Sequence, residues 1–196
     1  MKILPKDLKI NALTVTAHKF YGPKGVGFVF IDKKYSVEKE IWGGSQERNR
    51  RAGTENVHGV LGLGVALEEV YENLEEISEK ERELQNYLEK RLKSEIGKLG
   101  KKIKINGEKV NRIKTTTNVY IEGVDIQMLL VALDLRGICI SGGSACMSGS
   151  IENSHVLKAM GLTDEELKGS FRISIGKDTT IEDIDYFVEN LIEVIL

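Results

Sequence analysis

Residues 12–31 read ALTVTAHKFYGPKGVGFVFI, and this stretch sets the class of fold. Residues 12–15 are short, apolar and β-prone. Residues 27–31 (GFVFI) have the same character, so both segments read as strands. Between them Tyr21-Gly22-Pro23-Lys24-Gly25 is dense in turn residues. Two strands thus flank a Gly/Pro connection, and the first strand ends at Thr16-Ala17-His18-Lys19. Further along, residues 41–54 (IWGGSQERNRRAGT) show no period and form a loop that gathers Arg48, Arg50 and Arg51 among glycines. Apolar residues then recur three or four apart from Leu63 to Ile96, predicting one helix of about 30 residues or more. Glu81 interrupts its stripe, and Gly97 and Gly100 end it.

After Gly100 the elements shorten and alternate. Residues 102–105 and 116–121 read as strands; in the second, Thr117, Val119 and Ile121 face one way and Asn118 and Tyr120 the other. Asp125 caps a helix closed by Gly137. Residues 138–140 read as a short strand that buries Cys139, and a Ser/Gly-rich loop, residues 141–150, follows. Residues 154–160 form a short helix, Thr163 with Glu166 a capping box for another, and residues 171–175 a strand. Thr180 opens the last helix. Strands mixed with helices give an α/β or α+β class, divided as residues 1–75 and 76–196.

Composition narrows the function classes. The 196 residues are 41% hydrophobic and 30% charged, enough to bury a core. Lys+Arg total 28 against 30 Asp+Glu, a net charge of -2, so a nucleic-acid partner is not expected: phosphate neutralisation needs a basic surplus. No apolar run approaches the ~20 residues of a membrane span, so no membrane is expected either. The first ten residues lack the apolar stretch of a signal peptide. Only Cys139 and Cys146 are present, with no CxxC pair, so neither a disulfide framework nor a structural zinc is expected.

Four segments can carry chemistry. Lys19, at a strand end beside a glycine-rich turn, is either a solvated loop lysine or an amine whose shielding from water frees it for a Schiff base. Residues 22–27 (GPKGVG) could pass for a phosphate-cradling loop but fit neither nucleotide-binding fingerprint, and read rather as a glycine-rich β-connection. Cys146, in a small polar loop, is either an incidental thiol or a nucleophile. Arg172 alternates with Phe171 and Ile173, so it faces away from them, free for a structural ion pair or a forked grip on a carboxylate.

Taken in order, TAHKFYGPKGVG (residues 16–27), GGSQERNRRAGTENV (43–57), SGGSACMSGS (141–150) and FRISIG (171–176) resemble the pyridoxal-phosphate-dependent cysteine desulfurases of the NifS/IscS type, within the class-V aminotransferases. The resemblance runs over nearly the whole chain. It implies the C-terminal part of a fold-type I large domain, a long connecting helix and a complete small α+β domain. It implies that Lys19 holds pyridoxal 5'-phosphate as a Schiff base, that Thr16 and His18 bind the cofactor phosphate, and that Thr54 reaches the phosphate of a partner subunit. Cys146 matches the nucleophile that takes sulfur from L-cysteine as a persulfide, and Arg172 the residue that holds the substrate carboxylate. The implied setting is cytoplasmic iron–sulfur cluster assembly, with a scaffold or other sulfur acceptor as partner and a homodimer or a complementing N-terminal half. That half, which in the family carries the aspartate on the pyridine nitrogen and the histidine over the ring, has no match here. An inactive binding or sulfur-acceptor module and a selenocysteine lyase-like enzyme are the competing expectations. Uncovered apolar faces around residues 12–31 are expected as well.

Overall fold

The computed structural model describes residues 2–142 and 154–196. The chain divides into two compact units, Met1–Ile77 and Ser78–Leu196.

In the first unit β1 (Ala12–Thr16) and β2 (Gly27–Ile31) pair antiparallel, Thr16 opposite Gly27 and Ala12 opposite Ile31. Their connection starts as a 3-10 turn, Ala17–Phe20, whose Ala17 is fully buried. Ala17 N donates to Val26 O at 3.1 Å, and Ala17 O accepts from Gly22 N at 2.9 Å, so one residue pins both ends of the loop. Two glycines are sterically required here. A Cβ on Gly22 would come within 2.9 Å of the Ala17 methyl, and one on Gly27 would strike the Val15 carbonyl oxygen. A single turn, α1 (Gln46–Asn49), follows; Glu47, Arg48 and Asn49 all have φ between 49° and 64°, conformations that side chains with a Cβ adopt reluctantly.

Helix α2 (Val57–Glu72) is capped by Asn56, whose side chain accepts from Gly59 N at 3.1 Å. Gly62 lets α2 approach the turn: a Cβ there would lie 2.7 Å from Pro23 Cγ. The single long helix predicted from periodicity is in fact two, α2 and α3 (Leu74–Lys98), separated at Asn73. Asn73 Nδ2 donates back to Glu69 O at 2.8 Å, a side-chain bond that competes with helix continuation.

The second unit is built on an antiparallel sheet of order β3-β4-β5, from β3 (Ile103–Ile105), β4 (Thr116–Ile121) and β5 (Ser170–Ser174). One face meets α3, α4 (Ile126–Asp134) and α7 (Ile181–Ile195). Its core holds Leu88, Leu92, Ile96, Val119, Leu129, Phe171 and Leu191, each 0 or 1% exposed. The helices start where capping chemistry places them. Asp125 accepts from Gln127 N at 2.8 Å, and Thr163 with Glu166 and Thr180 with Asp183 close reciprocal capping boxes. The short helices α5 (His155–Ala159) and α6 (Asp164–Lys168) share a second cluster of Leu157, Leu162 and Leu167.

The strand expected over residues 138–140 does not form. Only Ser141 pairs, through an isolated bridge to Arg172, and Cys139 is exposed rather than buried. The turn that closes α4 at Gly137 leaves residues 138–140 without strand pairing, so alternation with two isoleucines has no sheet to act on. No helix among the described residues is long and apolar enough to cross a membrane.

Candidate functional site

Thr16, His18 and Lys19 lie within four residues at the end of β1, all exposed, around the buried Ala17. Thr16 occupies the N-cap position of the turn, yet its hydroxyl caps nothing. None of the three side chains makes a hydrogen bond among the described residues. A hydroxyl, an imidazole and an amine are therefore uncommitted on a rigidly anchored turn. Lys19 is open to water in this chain, so the shielding that would free its amine is not supplied by the first unit itself.

Thr54 is exposed, two residues beyond the buried Ala52, which donates from its N to Ile41 O at 3.3 Å. Gly53 N donates to Gln46 Oε1 at 3.2 Å. These bonds close the arginine-rich loop on itself and hold Thr54 at its rim.

Arg172 belongs to the second unit, in the middle of β5. Its neighbours Phe171 and Ile173 enter the core, so its side chain lies on the opposite face of the sheet, where it is half-buried. Among the described residues the buried Nε of Arg172 has no hydrogen-bond partner, and no ion pair engages the guanidinium. Its backbone exchanges both hydrogen bonds with Ser141, at 2.7 and 3.1 Å. Gly142 comes next and fits against α4, where a Cβ would lie 2.8 Å from Ile126 Cγ1. Ser141 and Gly142 are thus tied to the strand that carries Arg172 and to α4. Cys146 itself lies outside the described residues.

The arrangement brings Thr16, His18 and Lys19 together by local sequence, and ties Arg172 to the start of the Ser/Gly-rich stretch of sequence that contains Cys146. The aminotransferase class-V family matches residues 1–187 of the chain. The chain belongs to the class-V aminotransferase family. Among its relatives, "Cysteine desulfurase IscS" of Clostridium botulinum (strain Hall) is 43% identical over 192 residues, covering 97% of this chain and 47% of that protein. The namesake of Dictyoglomus turgidum is 40% identical over 189 residues, 96% of this chain and 47% of its own. A solved structure of a NifS-like protein from Rickettsia africae superposes with a TM-score of 0.86 at 33% identity, covering 100% of this chain and 50% of that one. The chain spans about half the length of the curated relatives it matches.

Within this class-V aminotransferase chain, the polar groups beside Arg172 escaped the sequence reading. Asn118, the register partner of Arg172, lies on the face that alternation predicts, but alternation assigns it no role. Asn106, 5% exposed, carries no such signal in the sequence; its side chain donates from Nδ2 to Asn118 Oδ1 at 2.6 Å. The available signal was Asn118 itself, a half-buried amide in a strand otherwise made of β-branched and aromatic residues.

Proposed function

We propose that the chain supplies the C-terminal portion of a cytoplasmic, pyridoxal-phosphate-dependent cysteine desulfurase. In this reading residues 1–75 are part of the cofactor domain and residues 76–196 the small domain. It takes sulfur from L-cysteine for delivery to an iron–sulfur scaffold or another acceptor, leaving L-alanine. It acts as a homodimer or with a complementing N-terminal half. The observation that carries this is the Thr16-Ala17-His18-Lys19 turn, where two phosphate-capable donors and a free amine stand uncommitted around a buried anchor. That donor set fits pyridoxal phosphate, an anion joined to an amine-reactive aldehyde.

Thr16 and His18 would bind the cofactor's phosphate, joined by Thr54 from a partner subunit, and Lys19 would hold its aldehyde carbon. When bound, the cofactor supplies an electron sink for the α-carbon of the amino acid. Lys19 Nζ, once released, carries the α-proton. Arg172 holds the substrate carboxylate through two parallel N–H donors. The Cys146 thiolate attacks the substrate sulfur: an S–S bond forms, the S–Cβ bond breaks with its electron pair left on the Cβ side, Cβ takes up a proton to become the methyl group of alanine, and Cys146 keeps the sulfur as a persulfide. The open apolar surface of the first unit and the half-length match to the relatives both support a requirement for further structure around Lys19.

The test is release of alanine and sulfide from L-cysteine with pyridoxal phosphate and a thiol reductant. Lys19→Ala and Cys146→Ser should each abolish it, and borohydride should fix the cofactor on Lys19. An activity indifferent to both substitutions would remove the assigned roles. The exposure of Lys19 favours a second reading, an inactive module that binds partners or accepts sulfur; failure of borohydride to label Lys19 would support it.

A further inference from the structure

Across the non-core face of the small sheet runs a row of polar residues: Asn106, Asn118, Arg172 and Ser141. Asn106 N donates to Asn118 O at 2.9 Å, Asn118 is in register with Arg172, and Arg172 bridges to Ser141. Both backbone groups of Arg172 are engaged with Ser141. Its pairing with Asn118 is therefore the closely spaced, non-hydrogen-bonded kind, in which side chains on one face are neighbours.

The hydrogen bonds of this row have a definite polarity. Ser170 Oγ lies 2.6 Å from Glu166 O, a carbonyl that can only accept, so the Ser170 hydroxyl donates there. Toward Asn106 the same oxygen is left as an acceptor, at 3.4 Å. This places nitrogen at that end of the Asn106 amide and leaves its Oδ1 buried without a partner among the described residues. That nitrogen also meets the Asn118 side chain at 2.6 Å, so Asn118 must present its oxygen to it. The NH2 of Asn118 is thereby turned away from Asn106. It donates to no acceptor among the described residues, and the buried Nε of Arg172 beside it has none either. The buried Nε without an acceptor is costly unless an anion completes it, and the Asn118 NH2, accessible on the same face, can donate to that anion.

We propose that Asn118 is a second carboxylate-binding residue beside Arg172. It donates from Nδ2 to an oxygen of an α-amino acid carboxylate, with Asn106 and Ser170 as positioning residues that set its polarity. The proposal rests on the reading of Arg172 as the carboxylate-holding residue. It gives the substrate carboxylate three donors of fixed direction instead of the two of a guanidinium fork.

The chain labelled with 15N-arginine, its Arg172 Nε–Hε resonance assigned by Arg172→Lys, is titrated with L-cysteine under reducing conditions. The resonance should shift saturably. Asn118→Ala should weaken binding about tenfold, the value of one hydrogen bond to a charged group. Asn118→Asp, a like charge against the carboxylate, should abolish it. L-cysteine methyl ester, which lacks the carboxylate, should bind the parent and Asn118→Ala equally, a result that a merely structural role for Asn118 would not produce. Asn106→Ala should weaken L-cysteine several-fold by releasing the Asn118 amide, and serves if Asn118→Ala does not fold. Equal L-cysteine affinity in the parent and either alanine variant, with Arg172 responding, overturns the role of Asn118 alone. An unresponsive Arg172 in the parent overturns the carboxylate reading of Arg172 and this proposal with it.

Discussion

The buried hydrophobic side chains of residues 1–77 are Ala17, Ala52, Leu63 and Ala66, while Trp42 is 76% exposed and Leu61 and Val65 each 65%. In residues 78–196, three helices and three strands meet in a core where Phe171, Leu92, Ile96 and Val188 are all 0% exposed. The first unit is organised by backbone hydrogen bonds around Ala17 and by glycines set against Val15, Ala17 and Pro23. The second is organised by burial. Burial at about 25 cal/mol per Å² sustains a fold by itself, whereas a two-stranded ribbon is marginal without a covering layer. The second unit is therefore the source of stability, and the first is a presentation surface for Thr16, His18 and Lys19.

The sharpest way to break this contrast is to remove one large apolar side chain from each unit. Phe171→Ala should cost about 3–5 kcal/mol, by lost transfer energy and a cavity, whereas Leu61→Ala should stay within about 0.5 kcal/mol. Urea unfolding followed by unit-resolved amide exchange measures both. Comparable losses would mean that Leu61 is covered in solution.

A smaller effect is expected from the polar side of the second unit. The α3 residues Gln85 and Glu89 reach across to the start of β4: Gln85 Nε2 donates to Thr116 O at 2.9 Å, and Glu89 accepts from Thr117 Oγ1 at 2.8 Å. Glu89 also pairs with Arg112 at 2.8 Å, with their side chains 11% and 20% exposed. Glu89→Ala leaves Thr117 and Arg112 without their acceptor, so it should cost about 2–3 kcal/mol, the partial exposure of Arg112 holding it below the fully buried case. Loss of exchange protection should begin at β4. A loss confined to α3 would sever the link between this column and the strand that places Asn118.

Within the first unit, sensitivity should follow backbone contacts rather than side-chain burial. Gly27→Ala forces a methyl against the Val15 carbonyl and should cost about 1–3 kcal/mol of local stability. Gly64→Ala meets nothing within 4 Å inside α2, and should stabilise that helix by about 0.5–1 kcal/mol. Exchange protection in β1 and α2 reports the two signs; equal signs would deny that glycine contacts organise this unit.

The parts legible in the sequence were those set by near neighbours. Alternation over residues 116–121 located β4, and Asp125, Thr163 and Thr180 located three helix starts, because capping is a matter of two or three residues. The break at Asn73 was hidden because Leu67, Val70 and Leu74 continue the stripe through it while a single polar side chain ends the helix. Cys139 was misplaced because its isoleucine neighbours say nothing about whether a partner strand exists. At the candidate site, Lys19 could be found but its exposure could not, since shielding depends on chain far from it in sequence. The polarity of Asn118 was equally out of reach: Asn106 lies 12 residues away and its contact with Ser170 spans 64.

The gentlest probe lies one turn before Gln85. Glu81 shares the α3 column with Gln85 and Glu89 and is 8% exposed, yet no hydrogen bond reaches its carboxylate among the described residues. Burial raises its carboxyl above the ordinary value of 4.5. The folded chain then holds this proton more tightly than the unfolded chain. The contribution to stability is fullest below about 4.5 and is lost as pH rises through the raised folded value. Glu81→Gln keeps the shape and cannot ionise, so it should be more stable than the parent at pH 7, by about 1–3 °C in Tm. The advantage should shrink toward zero as pH falls below about 4.5, where the parent carboxyl is protonated in both states. Calorimetry at pH 4 and pH 7 separates this from a packing effect: a gain of equal size at both values would show that ionisation of Glu81 carries no cost in the second unit.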